Sequence, residues 1–192
     1  MNSPVVTASQ KPEVATGVIR LNLGGAGEGF RESRIPGFTT VDLREGHQTD
    51  VVADVSKLSM FDDNSVQDIY ASNVLEHFPH VRTESVLREW YRVLKRGGKA
   101  YISVPDFDAT VKLYLKEGLV DWVKYLAWGD QVDELNYHYI NFTYGTLALE
   151  ACKAGFKDIV RVASFPFGIK DASEIRDNHH GIRVSLNVEC LK

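Results

Sequence analysis

Apolar positions in the first half of the chain come in short blocks separated by polar or glycine-rich turns. Val18 to Leu23, Phe38 to Leu43 and Val51 to Asp54 each read as a brief strand bounded by turn residues. Asp68 to Ser72 and Lys99 to Val104 extend the series, the last ending at Pro105. Between them the period changes. From Thr83 to Leu94 the apolar residues Val86, Leu87, Trp90, Tyr91, Val93 and Leu94 form a helical stripe with charges on the other face. Lys95-Arg96-Gly97-Gly98 then supplies basic residues and glycine, the usual chemistry of a helix stop. Strand, helix and strand in this order predict an α/β fold around a parallel sheet.

The second half is more aromatic. Ala109 to about Trp128 reads as helical, with Tyr114, Trp122, Tyr125 and Trp128 and an interruption at Gly118, as expected for a cap beside the sheet. Thr143 to Ala154 is a further helix, with Thr143 as N-cap and Gly155 as stop. Two last strands follow, Asp158 to Ala163 and Arg183 to Leu191, joined by a polar stretch containing His179-His180-Gly181. Residues from Met1 to about Thr16 carry no sustained period and read as a loose arm. The expected organisation is an arm over residues 1–17 and one domain over 18–192, with a cap-like segment at about 107–142.

Composition narrows the function classes. The 192 residues, 44% hydrophobic and 25% charged, suit one domain with its own core. A net charge of -4 provides no basic footprint for phosphate backbones, so no nucleic-acid partner is expected. No apolar run approaches the ~18 residues of a membrane span, and Met1-Asn2-Ser3-Pro4 lacks a secretory n-region. A cytoplasmic protein with no membrane partner is the simple expectation. Cys152 and Cys190 lack metal or redox spacing and read as ordinary reduced thiols. Nothing in the pattern sets an oligomeric state.

The candidate chemistry lies where strands end. Arg20-Leu21-Asn22-Leu23 runs into Gly24-Gly25-Ala26-Gly27-Glu28-Gly29, and Thr40-Val41-Asp42-Leu43 follows. A glycine turn after one strand and a carboxylate ending the next place a nucleoside-bearing cofactor against the strand ends, with Asp42 able to accept both ribose hydroxyl protons. Asp54 ends the third strand, where it can accept from an adenine amine or serve as a turn aspartate. About a dozen residues, including Pro36-Gly37, separate the first two strands and leave no room for a long helix. A pyrophosphate-binding loop would need that helix, so a cofactor without phosphates fits better.

These residues carry a specific resemblance. Leu21-Asn22-Leu23-Gly24-Gly25-Ala26, Asp42, Asp54, Tyr70-Ala71-Ser72-Asn73-Val74-Leu75-Glu76-His77-Phe78 and Val93-Leu94-Lys95-Arg96-Gly97-Gly98-Lys99 resemble the ordered motifs of class I S-adenosylmethionine-dependent methyltransferases. The likeness is close from about Val18 to Val104, and greatest to small bacterial members with Leu-Asn-Leu-Gly, Pro-Gly-Phe and Val-Asp. It implies a Rossmann-like methyltransferase sheet, mostly parallel with an antiparallel C-terminal strand and helices on both faces. It further implies S-adenosyl-L-methionine as cofactor and S-adenosyl-L-homocysteine as product. By the same resemblance Gly24, Gly25 and Ala26 line the methionine moiety, Asp42 binds the ribose, and Asp54 with Val55 receives the adenine; Asn22 and Leu43 are further cofactor-binding candidates. Ser72 and Asn73 would lie under the sulfonium. Gly25-Ala26 departs from the family's usual Cys-Gly; either the turn is shaped differently or Gly27 takes the left-handed role.

Methyl transfer from a sulfonium has a good leaving group, so alignment supplies much of the acceleration, about 7–11 kcal/mol in well-oriented systems. A base helps an oxygen or nitrogen acceptor. His77, after the fourth strand, is the leading candidate, with helix-start packing as its alternative role. Asp106 either acts as base or, more simply, caps the next helix. Asn136-Tyr137-His138-Tyr139-Ile140-Asn141-Phe142 offers hydrogen bonds on apolar walls, and His138 is the third catalytic candidate; a surface loop pinned by its aromatics is the alternative. His179-His180 lacks a supporting ligand pattern and reads as a solvated turn, so no metal site is expected. The reading is methyl transfer to an oxygen or nitrogen of a small-molecule or glycan-like acceptor. Alternatives are an inactive methyltransferase-like binding or scaffold protein, motivated by Gly25-Ala26 and the short first crossover, and a nucleotide-dependent oxidoreductase.

Overall fold

A computed structural model of the chain describes residues 6–7, 17–25, 34–169 and 171–192. The strands are β1 (Val6–Thr7), β2 (Ile19–Leu23), β3 (Thr39–Asp42), β4 (Val51–Val52), β5 (Val66–Ser72), β6 (Leu94–Pro105), β7 (Lys157–Val162) and β8 (Ser185–Leu191). The helices are α1 (Thr83–Val93), α2 (Phe107–Glu117), α3 (Asp121–Trp128) and α4 (Tyr144–Ala154). One sheet runs in the order β1-β4-β3-β2-β5-β6-β8-β7. All neighbours from β1 to β6 pair in parallel, and β8 is antiparallel to both β6 and β7. The predicted α/β sheet with an antiparallel C-terminal strand is therefore present. Within the N-terminal arm, Val6–Thr7 pairs with Val51–Val52.

Packing explains which elements form. In α1 the stripe Val86, Leu87, Trp90 and Val93 is fully buried, with α4 packed beside it through Leu147, Ala151 and Ala154. Both cover the face of β5 and β6 that carries Ile69, Ala71, Ala100, Ile102 and Val104. On the opposite face Tyr70 and Tyr101 are buried by Ile35, Phe38, Phe165 and Phe167, which come from connecting segments rather than from a helix. Thr143 caps α4, its side chain accepting from Thr146 N, and Gly155 ends the helix at φ +112.

Several boundaries differ from the sequence reading. α1 ends at Val93 because Leu94 is already extended, and Lys95 to Gly98 forms an irregular start of β6 rather than the helix stop. A Cβ on Gly98 would lie 2.7 Å from the Gln67 carbonyl oxygen, so glycine permits the close approach to β5. The segment read as helical from Ala109 to Trp128 forms two helices, and the break falls at the expected Gly118, whose φ is +75. β4 is only two residues long: the chain bends at Ala53, whose N–H still donates to the Asp42 carbonyl of β3 at 2.9 Å.

Candidate active site

Because β2 to β6 run parallel, their carboxyl ends reach one edge of the sheet, where ligands bind in open α/β folds. Leu23 passes directly into the glycine turn. Gly24 donates its N–H to the Val41 carbonyl at 2.8 Å and adopts φ +70; a Cβ there would meet a Val74 methyl at 2.5 Å. At Gly25 a Cβ would lie 2.1 Å from the buried Asn22 amide. Both glycines are thus required by close approach. Ala26 and Gly27 lie outside the described residues.

Two cavities open along this edge. One, of about 200 Å³, is lined by Asp42, Leu43, Val55, Val74, Phe78 and Leu135 together with shared residues. The other, of about 240 Å³, is lined by Asn22, Ser72, Tyr125, Asp130 and His138 among others. Gly24, Arg44, Asn73, His77 and Asn136 belong to both, so the two form a continuous cleft. Asp42 is buried and accepts the Arg44 N–H at 2.8 Å. The Arg44 guanidinium reaches across to the Asp133 carboxylate at 2.9 and 2.7 Å, tying the β3 end to the cap.

The segment after β5 turns sharply. Asn73 adopts φ +54, which asparagine tolerates better than most residues, and Leu75–His77 forms a short 3-10 turn. This turn buries Glu76 at 1% exposure and leaves its neighbour His77 on the cleft. The cap docks against the same turn: Tyr139 N–H donates to the Glu76 carbonyl at 2.8 Å, and His138 N–H to Trp128 at 3.1 Å. The His77 and His138 rings consequently meet edge to face, 5.0 Å between centroids. Burial lowers the pKa of both imidazoles, that of His138 to about 4 with help from His77. Burial pushes the Glu76 carboxyl up to about 8. The nearby Asn73 amide favours its charged form, yet neither Glu76 oxygen makes a hydrogen bond of proper geometry among the described residues.

Of the residues singled out from sequence, Asn22, Gly24, Gly25, Ser72, Asn73, His77 and His138 share the larger cavity, and Asp42, Leu43 and Val55 the smaller. Asp54 and Asp106 line neither. Asp54 accepts from the Ser56 N–H and hydroxyl at 2.9 and 2.7 Å, closing a local turn. Asp106 caps α2 through the Asp108 N–H and pairs with Arg161 at 2.6 Å. His180 is held by Glu117 at 2.7 Å rather than free in solvent. Sequence reasoning passed over Arg44, Tyr70, Glu76, Asp130 and Asp171. The one signal for Glu76 was a charge set inside the apolar run Val74-Leu75-Glu76-His77-Phe78. Tyr70 donates its hydroxyl to Asp171, and both line the larger cavity.

Residues 36–102 match the family described as a methyltransferase domain. No curated protein sequence matches the chain. Among solved structures, a SAM-dependent methyltransferase from Archaeoglobus fulgidus shares the fold at TM-score 0.59 and 13% identity, covering 92% of this chain and 87% of that one. A SAM-dependent methyltransferase from Thermotoga maritima aligns at TM-score 0.59 and 15% identity, over 94% and 84% of the two chains. An N1-methyltransferase from Burkholderia thailandensis, solved with 1,6-didemethyltoxoflavin and S-adenosylhomocysteine, aligns at 0.53 and 18%, over 90% and 70%. The architecture is that of the Rossmann-like methyltransferases. With the methyltransferase-domain match over residues 36–102, the fold is the one these S-adenosylmethionine-dependent methyltransferases share.

Proposed function

We propose that the cleft takes S-adenosylmethionine across its two halves and delivers the methyl group to an oxygen or nitrogen of a small molecule. The adenosine half lies along Asp42, Leu43, Val55 and Phe78, with the Asp42 carboxylate accepting from the ribose hydroxyls. Asn22, Gly24 and Gly25 meet the methionine half, and Ser72 and Asn73 underlie the sulfonium. The acceptor enters between Tyr125, Asp130, Asn136 and His138, which the cap contributes. One observation carries this reading: the two cavities meet at Gly24, Asn73 and His77, so a cofactor spanning the smaller one ends beside the larger.

In the reaction the acceptor lone pair forms the new bond to carbon. The carbon–sulfur pair returns to sulfur, which becomes a neutral thioether, and the acceptor gives up its proton. Alignment by a rigid cleft supplies the main acceleration. Calorimetric titration with S-adenosylhomocysteine tests the cofactor half, and a single site with affinity lost in Asp42→Ala is expected. Folded protein that ignores millimolar ligand rejects it.

A further inference from the structure

Glu76 is the anomaly of this cleft. A carboxylate at 1% exposure is normally paired or fully hydrogen-bonded, because burying it alone costs several kcal/mol. Here both oxygens lack a hydrogen-bond partner among the described residues. The groups that do approach are two imidazoles. One Glu76 oxygen and one ring nitrogen from each of His77 and His138 all lie within 4.8 Å of one another.

The imidazoles are prepared as ligands. His77 Nδ1 lies 3.1 Å from the Tyr137 carbonyl oxygen, and His138 Nδ1 3.1 Å from the Leu126 carbonyl oxygen. A carbonyl only accepts, so each Nδ1 carries a proton; this leaves the His138 Nε2 with its lone pair, while the His77 ring also has the Asn73 backbone carbonyl beside it. Backbone carbonyls holding one ring N–H while the other nitrogen stays free is the usual outer support of a metal-bound histidine. The supports come from the cap: the Tyr137 carbonyl belongs to the loop that carries His138, and the Leu126 carbonyl to α3.

We propose that Glu76, His77 and His138 hold a first-row divalent transition-metal ion whose remaining coordination positions face the acceptor half of the cleft. Two imidazoles and one carboxylate suit zinc, iron or cobalt better than magnesium or calcium. Metal–ligand bonds of about 2.0–2.2 Å allow two ligands of one ion to stand as much as about 4.4 Å apart, so a small contraction of the cluster suffices. Asn73, whose Oδ1 also lacks a hydrogen-bond partner among the described residues, stands beside the site and lines both cavities. The bound lone pairs no longer remove a proton; the ion orients an acceptor through its oxygens and lowers the pKa of the one it touches. An acceptor with two adjacent oxygen donors matches the open positions. That last step rests on the methyl-transfer reading, while the ion site itself does not.

The test is titration of chelator-stripped full-length protein with Co²⁺ and Zn²⁺, read by cobalt absorption and by calorimetry. One ion per chain is expected, with affinity reduced at least tenfold in Glu76→Gln and in His138→Ala. His180→Ala, in the second cluster Glu117, Asp177 and His180, should bind as the wild type does. Circular dichroism and S-adenosylhomocysteine titration on each variant establish that the fold and cofactor half are intact. Failure to bind either ion at millimolar concentration by protein that still binds S-adenosylhomocysteine overturns the metal site and leaves the cofactor reading standing. Binding that survives both Glu76→Gln and His138→Ala, or that follows His180, overturns it equally.

Discussion

At the carboxyl end of β6, Asp106 is 3% exposed; just beyond the end of the neighbouring strand β5, Glu76 is 1% exposed. The first accepts the Asp108 N–H at the start of α2 and pairs with Arg161, whose guanidinium remains half in solvent. The second has no hydrogen-bond partner on either carboxyl oxygen among the described residues and lies beside two imidazoles. Burial alone therefore says little about what a carboxylate does. Its partners decide: Asp106 is consumed by holding α2 and β7 together, whereas Glu76 keeps its valence for something the protein binds.

Asp106→Ala removes a helix cap and one partner of an ion pair, and should cost about 2 kcal/mol in denaturant unfolding. An unchanged unfolding midpoint would erase the structural side of the contrast. Asp42, at the end of β3, is a third buried carboxylate, and Asp42→Ala should weaken S-adenosylhomocysteine binding at least tenfold, about 1.4 kcal/mol, with the fold retained. Equal affinity in the variant would move the ribose elsewhere.

Away from the cleft, Glu89 sharpens the comparison as a carboxylate with a full set of partners. It accepts the Leu58 N–H at 2.7 Å and is bound by Arg92 at 2.8 and 2.9 Å, which fastens the β4–β5 connection to α1. The Arg92 hydrogen bonds hold its carboxyl below the ordinary value of 4.5. A depressed folded-state pKa contributes stability that is present above 4.5 and is lost as pH falls through the folded value. Glu89→Gln should therefore flatten the acid limb of the stability curve by about 1 kcal/mol, measured by unfolding between neutral and strongly acidic pH. The smallest effect on folding belongs to Glu76→Gln, within about 0.5 kcal/mol of wild type or slightly stabilising, since it replaces a buried carboxyl that satisfies no other group. A loss as large as that of Asp106→Ala would show that Glu76 is structural after all.

Both carboxylates are visible as residues, and sequence alone treats them unevenly. Asp106 stands out because it follows a strand and Pro105, and capping is legible there because the partner N–H is two residues away. The histidine His77 draws attention, but Glu76 beside it does not, since its environment depends on a cap segment far along the chain. Arg44 is similarly silent until Asp133 meets it.

The signals legible along the chain are local. Period-two and helical apolar patterns, the glycine turn and strand-end Asp42 all act within a few residues, and the same short-range sterics and hydrogen bonds operate in the folded chain. They suffice for the parallel sheet and for the strand-end turns that line the cleft. Tertiary structure decided the rest. α2, α3 and the loop to Phe142 fold back onto the turn after β5, setting the His138 ring 5.0 Å from that of His77, and the Glu76 carboxyl there has no hydrogen bond among the described residues. That juxtaposition comes from packing between distant segments, which no spacing along the chain encodes.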